Sequence, residues 1–209
     1  MADIAEIMTL SPVIPVVTVQ DADQAVSIAR ALSEGGVSVI EITRRTSAAF
    51  EAIDAVRREL PEMHVGAGTV WTAEQAEQAL EAGARFIVSP GVADAVDDVC
   101  RERGVAYLPG AQTVSELAHL AARGRYCAKL FPAAALGGPT AIKAYASVHP
   151  DMTFCPTGGI DAETAGDYLA LPSVACVGGS WLTPAAAVKA GDWDAVRLEA
   201  KNTGHLKTA

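Results

Sequence analysis

The chain has 209 residues, half of them apolar, one fifth charged and one in twenty aromatic, and 16 Lys and Arg against 25 Asp and Glu give a formal charge of −9. That is ample apolar material for a buried core, and the lack of clustered cations excludes a nucleic-acid footprint. No apolar run reaches the roughly 18 residues needed to cross a bilayer, and Asp3 and Glu6 stand where an export signal would be positive, so the sequence reads as cytoplasmic.

Short β-branched runs alternate with longer, alanine-rich amphipathic ones along the whole chain. In order, a strand is predicted over Val13–Val19, a helix over Ala22–Glu34, a strand over Val37–Ile42 and a helix over Ser47–Leu60. Strand Met63–Gly66, helix Thr72–Glu81, strand Phe86–Ser89 and helix Val92–Arg103 come after them. Next are strand Val105–Leu108, helix Thr113–Ala122, strand Tyr126–Leu130 and helix Thr140–Val148. Strand Met152–Pro156, helix Asp161–Leu169, strand Val174–Val177 and a helical pair from Pro184 towards Lys201 complete the chain. Several helices end in glycine, as at Gly35, Gly83 and Gly104.

Eight strand–helix units of about 26 residues predict an α/β fold, a compact (β/α)8 TIM barrel. One domain is expected over 1–209, with a polar tail at 202–209, because no linker or composition break interrupts the pattern. An open Rossmann-like sheet would more often carry a G-x-G-x-x-G after its first strand, and none is present. Cys100, Cys127, Cys155 and Cys176 are scattered, with no CxxC, and read as reduced, buried, inert thiols. His64, His119, His149 and His205 show no ligand spacing, so neither a metal nor a cofactor is expected.

Chemistry on such a barrel sits at the C-terminal ends of the strands. Lys129 ends the run Tyr126-Cys127-Ala128, whereas Lys143, Lys189, Lys201 and Lys207 fall in helices or the tail, where an exposed charge needs no explanation. Strand alternation puts Lys129 on one face with Cys127, aimed at the barrel interior. An ammonium there is costly unless it is paired or gives up its proton, and the neutral amine is the species that attacks a ketone. Alternation likewise sets Glu41 on one face with Val37 and Val39, where it would meet Lys129 near the axis as a proton shuttle. A structural ion pair is the alternative reading of the same two residues.

Thr157-Gly158-Gly159-Ile160, before a helix opening at Asp161, and Gly178-Gly179-Ser180 stand after the last two strands. Loops in that place commonly bind phosphate through close backbone approach and free helix N–H groups. Arg45 and Thr69 could together hold a carboxylate; Arg44 has the same chemistry, and alternation does not choose between the two arginines.

These residues resemble the 2-keto-3-deoxy-6-phosphogluconate (KDPG) aldolases, also described as 4-hydroxy-2-oxoglutarate aldolases. The matching segments are Pro15-Val16-Val17, Glu41-Ile42-Thr43-Arg44-Arg45-Thr46, Gly66-Ala67-Gly68-Thr69-Val70 and Ser89-Pro90-Gly91. Pro109-Gly110, Lys129-Leu130-Phe131-Pro132-Ala133, Pro156-Thr157-Gly158-Gly159-Ile160 and Val177-Gly178-Gly179-Ser180-Trp181 continue the match in the expected order. The resemblance implies a metal-independent class I aldolase of a phosphorylated 2-oxo acid, assembled as a homotrimer. It implies Lys129 as the Schiff-base residue and Glu41 as general acid and base. Arg45, Thr69 and Thr157 would contact the pyruvate-derived end, Pro90 and Phe131 would shape the pocket, and Gly158, Gly159, Gly179 and Ser180 would hold the phosphate. Leu130 and Ala134 depart from the family's usual Phe and Glu. The related phosphogalactonate aldolases differ at the positions of Arg45 and Thr157, which favours the gluconate-derived substrate. A phosphosugar isomerase or epimerase, or a non-catalytic phosphometabolite-binding barrel, would share the phosphate loops but leave Lys129 opposite Glu41 as coincidence.

Overall fold

The structure is a computed structural model, and it describes residues 3–206. It is an α/β fold whose strands pair in parallel throughout. β1 (Val13–Val17), β2 (Val39–Thr43), β3 (His64–Gly68), β4 (Phe86–Val88), β5 (Ala106–Leu108) and β9 (Val177–Gly179) form a six-stranded sheet in the order β5-β4-β3-β2-β1-β9. β6 (Gly110–Ala111), β7 (Cys127–Leu130) and β8 (Thr153–Pro156) form a second sheet in that order. Isolated parallel bridges from Phe154 to Val174 and from Thr157 to Gly178 connect the second sheet to the segment around β9. All five residues of β2 are buried, as expected of a parallel strand with its neighbours covering both faces.

Helices alternate with the strands as the apolar period predicts. α2 (Ala22–Glu34) has the predicted bounds, because the Asp21 carboxylate accepts from the Gln24 N–H at 2.7 Å and the chain turns away at Gly35. α3 (Ala49–Glu59), α4 (Ala73–Glu81), α5 (Asp94–Arg103), α6 (Val114–Ala122) and α7 (Gly138–Val148) lie within two residues of their expected ends. One helix lies outside the predicted elements. α1 (Ile4–Met8) is a single capped turn in which Asp3 and Glu6 form a capping box, so these acids have a local structural use.

Several element bounds differ from the expected ones. β3 runs two residues past its predicted end at Gly66, since Gly66 makes room for the Phe86 ring and Gly68 for the Glu41 carboxylate. Gly110 starts β6, a separate strand after Pro109, which has no N–H to continue the ladder. The predicted strand Val174–Val177 lies further along, at Val177–Gly179: Val174 bridges β8, and the chain then crosses to pair with β1. α8 (Ala165–Leu169) begins four residues after Asp161, whose side chain instead closes a turn by accepting from Thr164. The C-terminal pair is α9 (Ala185–Ala190) and α10 (Trp193–Thr203), so Asn202 and the buried Thr203 belong to a helix and not to the tail; 207–209 lie outside the described residues.

Away from the strand exits, Asp97 on α5 is buried and receives Arg123 Nε at 2.6 Å, Arg125 Nε at 2.7 Å and Arg101 Nε at 3.1 Å. Burial alone would push its carboxyl up, but the Arg123 and Arg125 hydrogen bonds outweigh that and hold it below the ordinary value of 3.8. A depressed carboxyl stabilises the fold above its unfolded value and loses that contribution as pH falls through the folded value. Asp97→Asn will therefore cost on the order of 3 kcal/mol at pH 7 and flatten the stability loss below about pH 4. Urea unfolding at pH 7 and pH 3 checks this, and equal acid sensitivity of the two chains would refute it.

Candidate active site

The centre of the molecule holds one charged pair. Lys129 on β7 and Glu41 on β2 are 88 positions apart in sequence and are 4% and 3% exposed. Lys129 Nζ donates to Glu41 Oε1 at 3.0 Å and to Oε2 at 3.2 Å. Each comes from a parallel strand whose register fixes its height: Glu41 lies between Val16 and Gly66, and Lys129 between Gly110 and Cys155. A Cβ at residue 68 would sit 2.1 Å from Glu41 Oε1, so only glycine at this position leaves the carboxylate its place.

The walls come from the loops after β7 and β8. The Phe131 ring centroid is 5.8 Å from Lys129 Nζ, within reach of a cation–π attraction. The Ala133 N–H donates to the Thr157 carbonyl at 2.8 Å and the Ala134 N–H to the Gly158 carbonyl at 3.1 Å, which zips the two loops together. Gly158 and Gly159 have φ of +97° and +72°, and side chains there would press on Phe131 and Ala134. Thr157 is buried, with its hydroxyl donating to the Cys155 carbonyl at 3.3 Å. Below it the Cys155 thiol is held under its ordinary value by a hydrogen bond with Cys176 and by the Lys129 charge, against burial.

Thr69 has φ +62°, a left-handed conformation unusual for a β-branched residue. The adjoining residue is clamped: the Val70 N–H donates to the Val88 carbonyl at 3.2 Å, and the buried Ser89 hydroxyl donates to the Val70 carbonyl at 2.6 Å. Pro90 then packs its backbone against Gly110, the residue in register with Lys129.

Arg45 and Ser180 lie elsewhere on the same rim. They line a groove of about 610 Å³ at the ends of β1, β2 and β9, with Trp181 beside them; its ring occupies the space a side chain on Gly179 would need. The two arginines are thereby separated, for Arg45 is exposed on the groove whereas Arg44 is half-buried, its N–H donating to the Gly68 carbonyl at 2.8 Å. The structure thus gathers Lys129, Glu41, Phe131, Thr157 and Gly158 into one cluster, with Thr69 and Pro90 tied to it, and sets Arg45, Gly179 and Ser180 around the groove. Lys189 also lines that groove, although its helical position gave no reason to single it out. Only the docking of α9 brings it there.

A buried amine held by a single carboxylate, beside a hydroxyl and an aromatic wall, can add to a carbonyl and return protons to the adduct. The family model for KDPG and KHG aldolase matches residues 4–198. The KHG/KDPG aldolase of Escherichia coli K12 is 46% identical over 190 residues, 91% of this chain and 89% of that protein. Among solved structures, the Legionella pneumophila KDPG aldolase, with pyruvate captured as a covalent carbinolamine, has a TM-score of 0.94 at 38% identity, covering 97% of this chain and 98% of that one. The Zymomonas mobilis enzyme with 3-phosphoglycerate has a TM-score of 0.93 at 41% identity, covering 99% of this chain and 97% of that one. The chain belongs to the KDPG and KHG aldolase family.

Proposed function

We propose that this aldolase cleaves 2-keto-3-deoxy-6-phosphogluconate to pyruvate and glyceraldehyde 3-phosphate through a Schiff base on Lys129, and that it also accepts 4-hydroxy-2-oxoglutarate. The observation that carries the reading is the buried contact of 3.0 Å between Lys129 Nζ and Glu41 Oε1. A purely structural ion pair explains less, because desolvating two charges at strand ends is costly and apolar residues would fill the space at lower cost.

The contact accounts for each proton. Glu41 takes one from the Lys129 ammonium, and the neutral amine adds to C2 of the substrate to give a carbinolamine. Glu41 returns the proton to the carbinolamine hydroxyl, water leaves, and a protonated imine remains. The carboxylate then accepts the C4 hydroxyl proton as the C3–C4 bond breaks, and the bonding pair flows into the imine to form an enamine. Glyceraldehyde 3-phosphate departs, Glu41 protonates C3, and hydrolysis of the pyruvate imine restores Lys129. Thr69 and Thr157 take the carboxylate beside the reacting ketone, with Arg45 reaching in from the rim, while Pro90 and Phe131 shape the walls. Gly158, Gly159, Gly179 and Ser180 receive the phosphate through backbone donors and one hydroxyl.

The proposal includes a (β/α)8 barrel in one domain. The bridges from β8 towards the β9 segment and the single residue, Pro109, between β5 and β6 support closing the two sheets into one ring. A cytoplasmic homotrimer is part of the same reading and rests on family likeness. Pyruvate with borohydride, and then peptide mass mapping, tests the chemistry: a reduced adduct on the peptide holding Lys129 is expected, and its absence would sink the proposal. An isomerase or a binding barrel on the same fold would give no adduct.

A further inference from the structure

We infer that Lys189, on α9, is a specificity-determining residue that selects phosphorylated 2-oxo acids by holding the phosphate end of the substrate in the groove that Arg45 and Ser180 also line. The inference rests on the function proposed above and extends it to a residue that neither the sequence motifs nor the chemistry of the amine singled out.

Three observations carry it. The groove of about 610 Å³ has two charged lining residues, Arg45 and Lys189, and no Asp or Glu among the rest, in a chain of net charge −9. Its remaining polar lining, Thr18, Gln20, Gln24, Ser180 and Thr183, is neutral and able to donate. Among the described residues neither cation is engaged in an ion pair, whereas the other exposed cations on α3, α5 and α10 include several that are. Two unpaired cations facing one acid-free groove make a local positive field on an otherwise repulsive surface.

The position is built into the corner of the fold. The Ser180 carbonyl accepts from both the N–H and the hydroxyl of Thr183, each at 3.2 Å, and this turn leads directly into α9. Ser180 and Lys189 are therefore carried on one rigid corner and face the same space. Arg45, also on the groove, lies four residues beyond Glu41, so its Cα is at most about 14 Å from that of the general base. In this reading a six-carbon phosphorylated acid whose ketone sits at Lys129 extends its phosphate towards this groove. A lysine on such a rim acts as a point charge, which suits a phosphate dianion and tolerates replacement by arginine.

Kinetics of Lys189→Ala, Lys189→Glu and Lys189→Arg test this with 2-keto-3-deoxy-6-phosphogluconate as substrate and pyruvate–borohydride trapping as the phosphate-free control. The expected result is a KM about tenfold higher for the alanine variant and higher still for glutamate, with arginine restoring it. The effect falls on KM and not on kcat, and the trapping rate with pyruvate does not change with it. A KM that stays put in both the alanine and glutamate variants overturns the inference, as does a loss of pyruvate trapping parallel to the rise in KM, which would mark a merely structural lysine. Failure of the unmodified protein to trap pyruvate would instead sink the aldolase mechanism, so the two failures are distinct.

Discussion

Lys129→Met will lose at least about 10⁵-fold in kcat/KM, the scale seen when a covalent nucleophile is removed from a catalytic unit, and will form no borohydride adduct with pyruvate. Methionine keeps the length and volume of the side chain, so the strand and the Phe131 wall are preserved. What is lost is the amine, together with the partner of Glu41. Breaking a buried pair costs about 3 kcal/mol or more at neutral pH. Urea unfolding at neutral pH measures that loss, and circular dichroism confirms that the inactive chain is folded. A variant that still takes up pyruvate under borohydride on another lysine would remove Lys129 from its assigned place.

Glu41→Gln separates imine formation from carbon–carbon cleavage. The amide keeps the shape of the side chain and still accepts a hydrogen bond from Lys129, but it cannot take the C4 hydroxyl proton or deliver one to C3. Turnover should fall by about 10²–10⁴-fold, the usual range for loss of a general acid–base group. Pyruvate trapping on Lys129 persists at a reduced rate, since solvent can supply the proton that expels water from the carbinolamine. Unchanged turnover would relieve Glu41 of its role, and abolished trapping would show that the pair works only as a unit.

The phosphate and carboxylate of the substrate give the acidic composition a sharper meaning. A chain of net charge −9 binds a multiply charged anion only where local donors outnumber local acids. Glycines 158 and 159 turn the chain in left-handed conformations, and the groove beside Ser180 has no carboxylate in its lining. Global charge repels the substrate, and these few groups have to overcome that repulsion at short range.

Alternation along Val37–Glu41 and Cys127–Lys129 is local information, written in the sequence at period two, so the inward direction of both charged side chains was legible there. The helices were equally legible, because apolar spacing and polar caps are properties of a few adjacent residues; Asp21 and Gly35 bracket α2 without help from the rest of the fold. The glycines misled for a related reason. A glycine signals a turn or a close approach with the same letter, and only the neighbouring strand tells which. Gly68 faces Glu41 and Gly178 faces Thr157, both inside strands, while Gly158 and Gly159 turn the chain.

The sequence by itself determined the order of strands and helices and the two charged residues that would have to be buried together. The tertiary structure decided the distance between them, 3.0 Å across 88 positions, because register between parallel strands sets the height of each side chain. It also set Arg45 on the groove and Arg44 half-buried, and it brought Lys189 to the groove holding Ser180. Those last placements depend on how loops and the short helix α9 dock, which is fixed by contacts between residues remote in sequence and leaves no periodic mark in the chain.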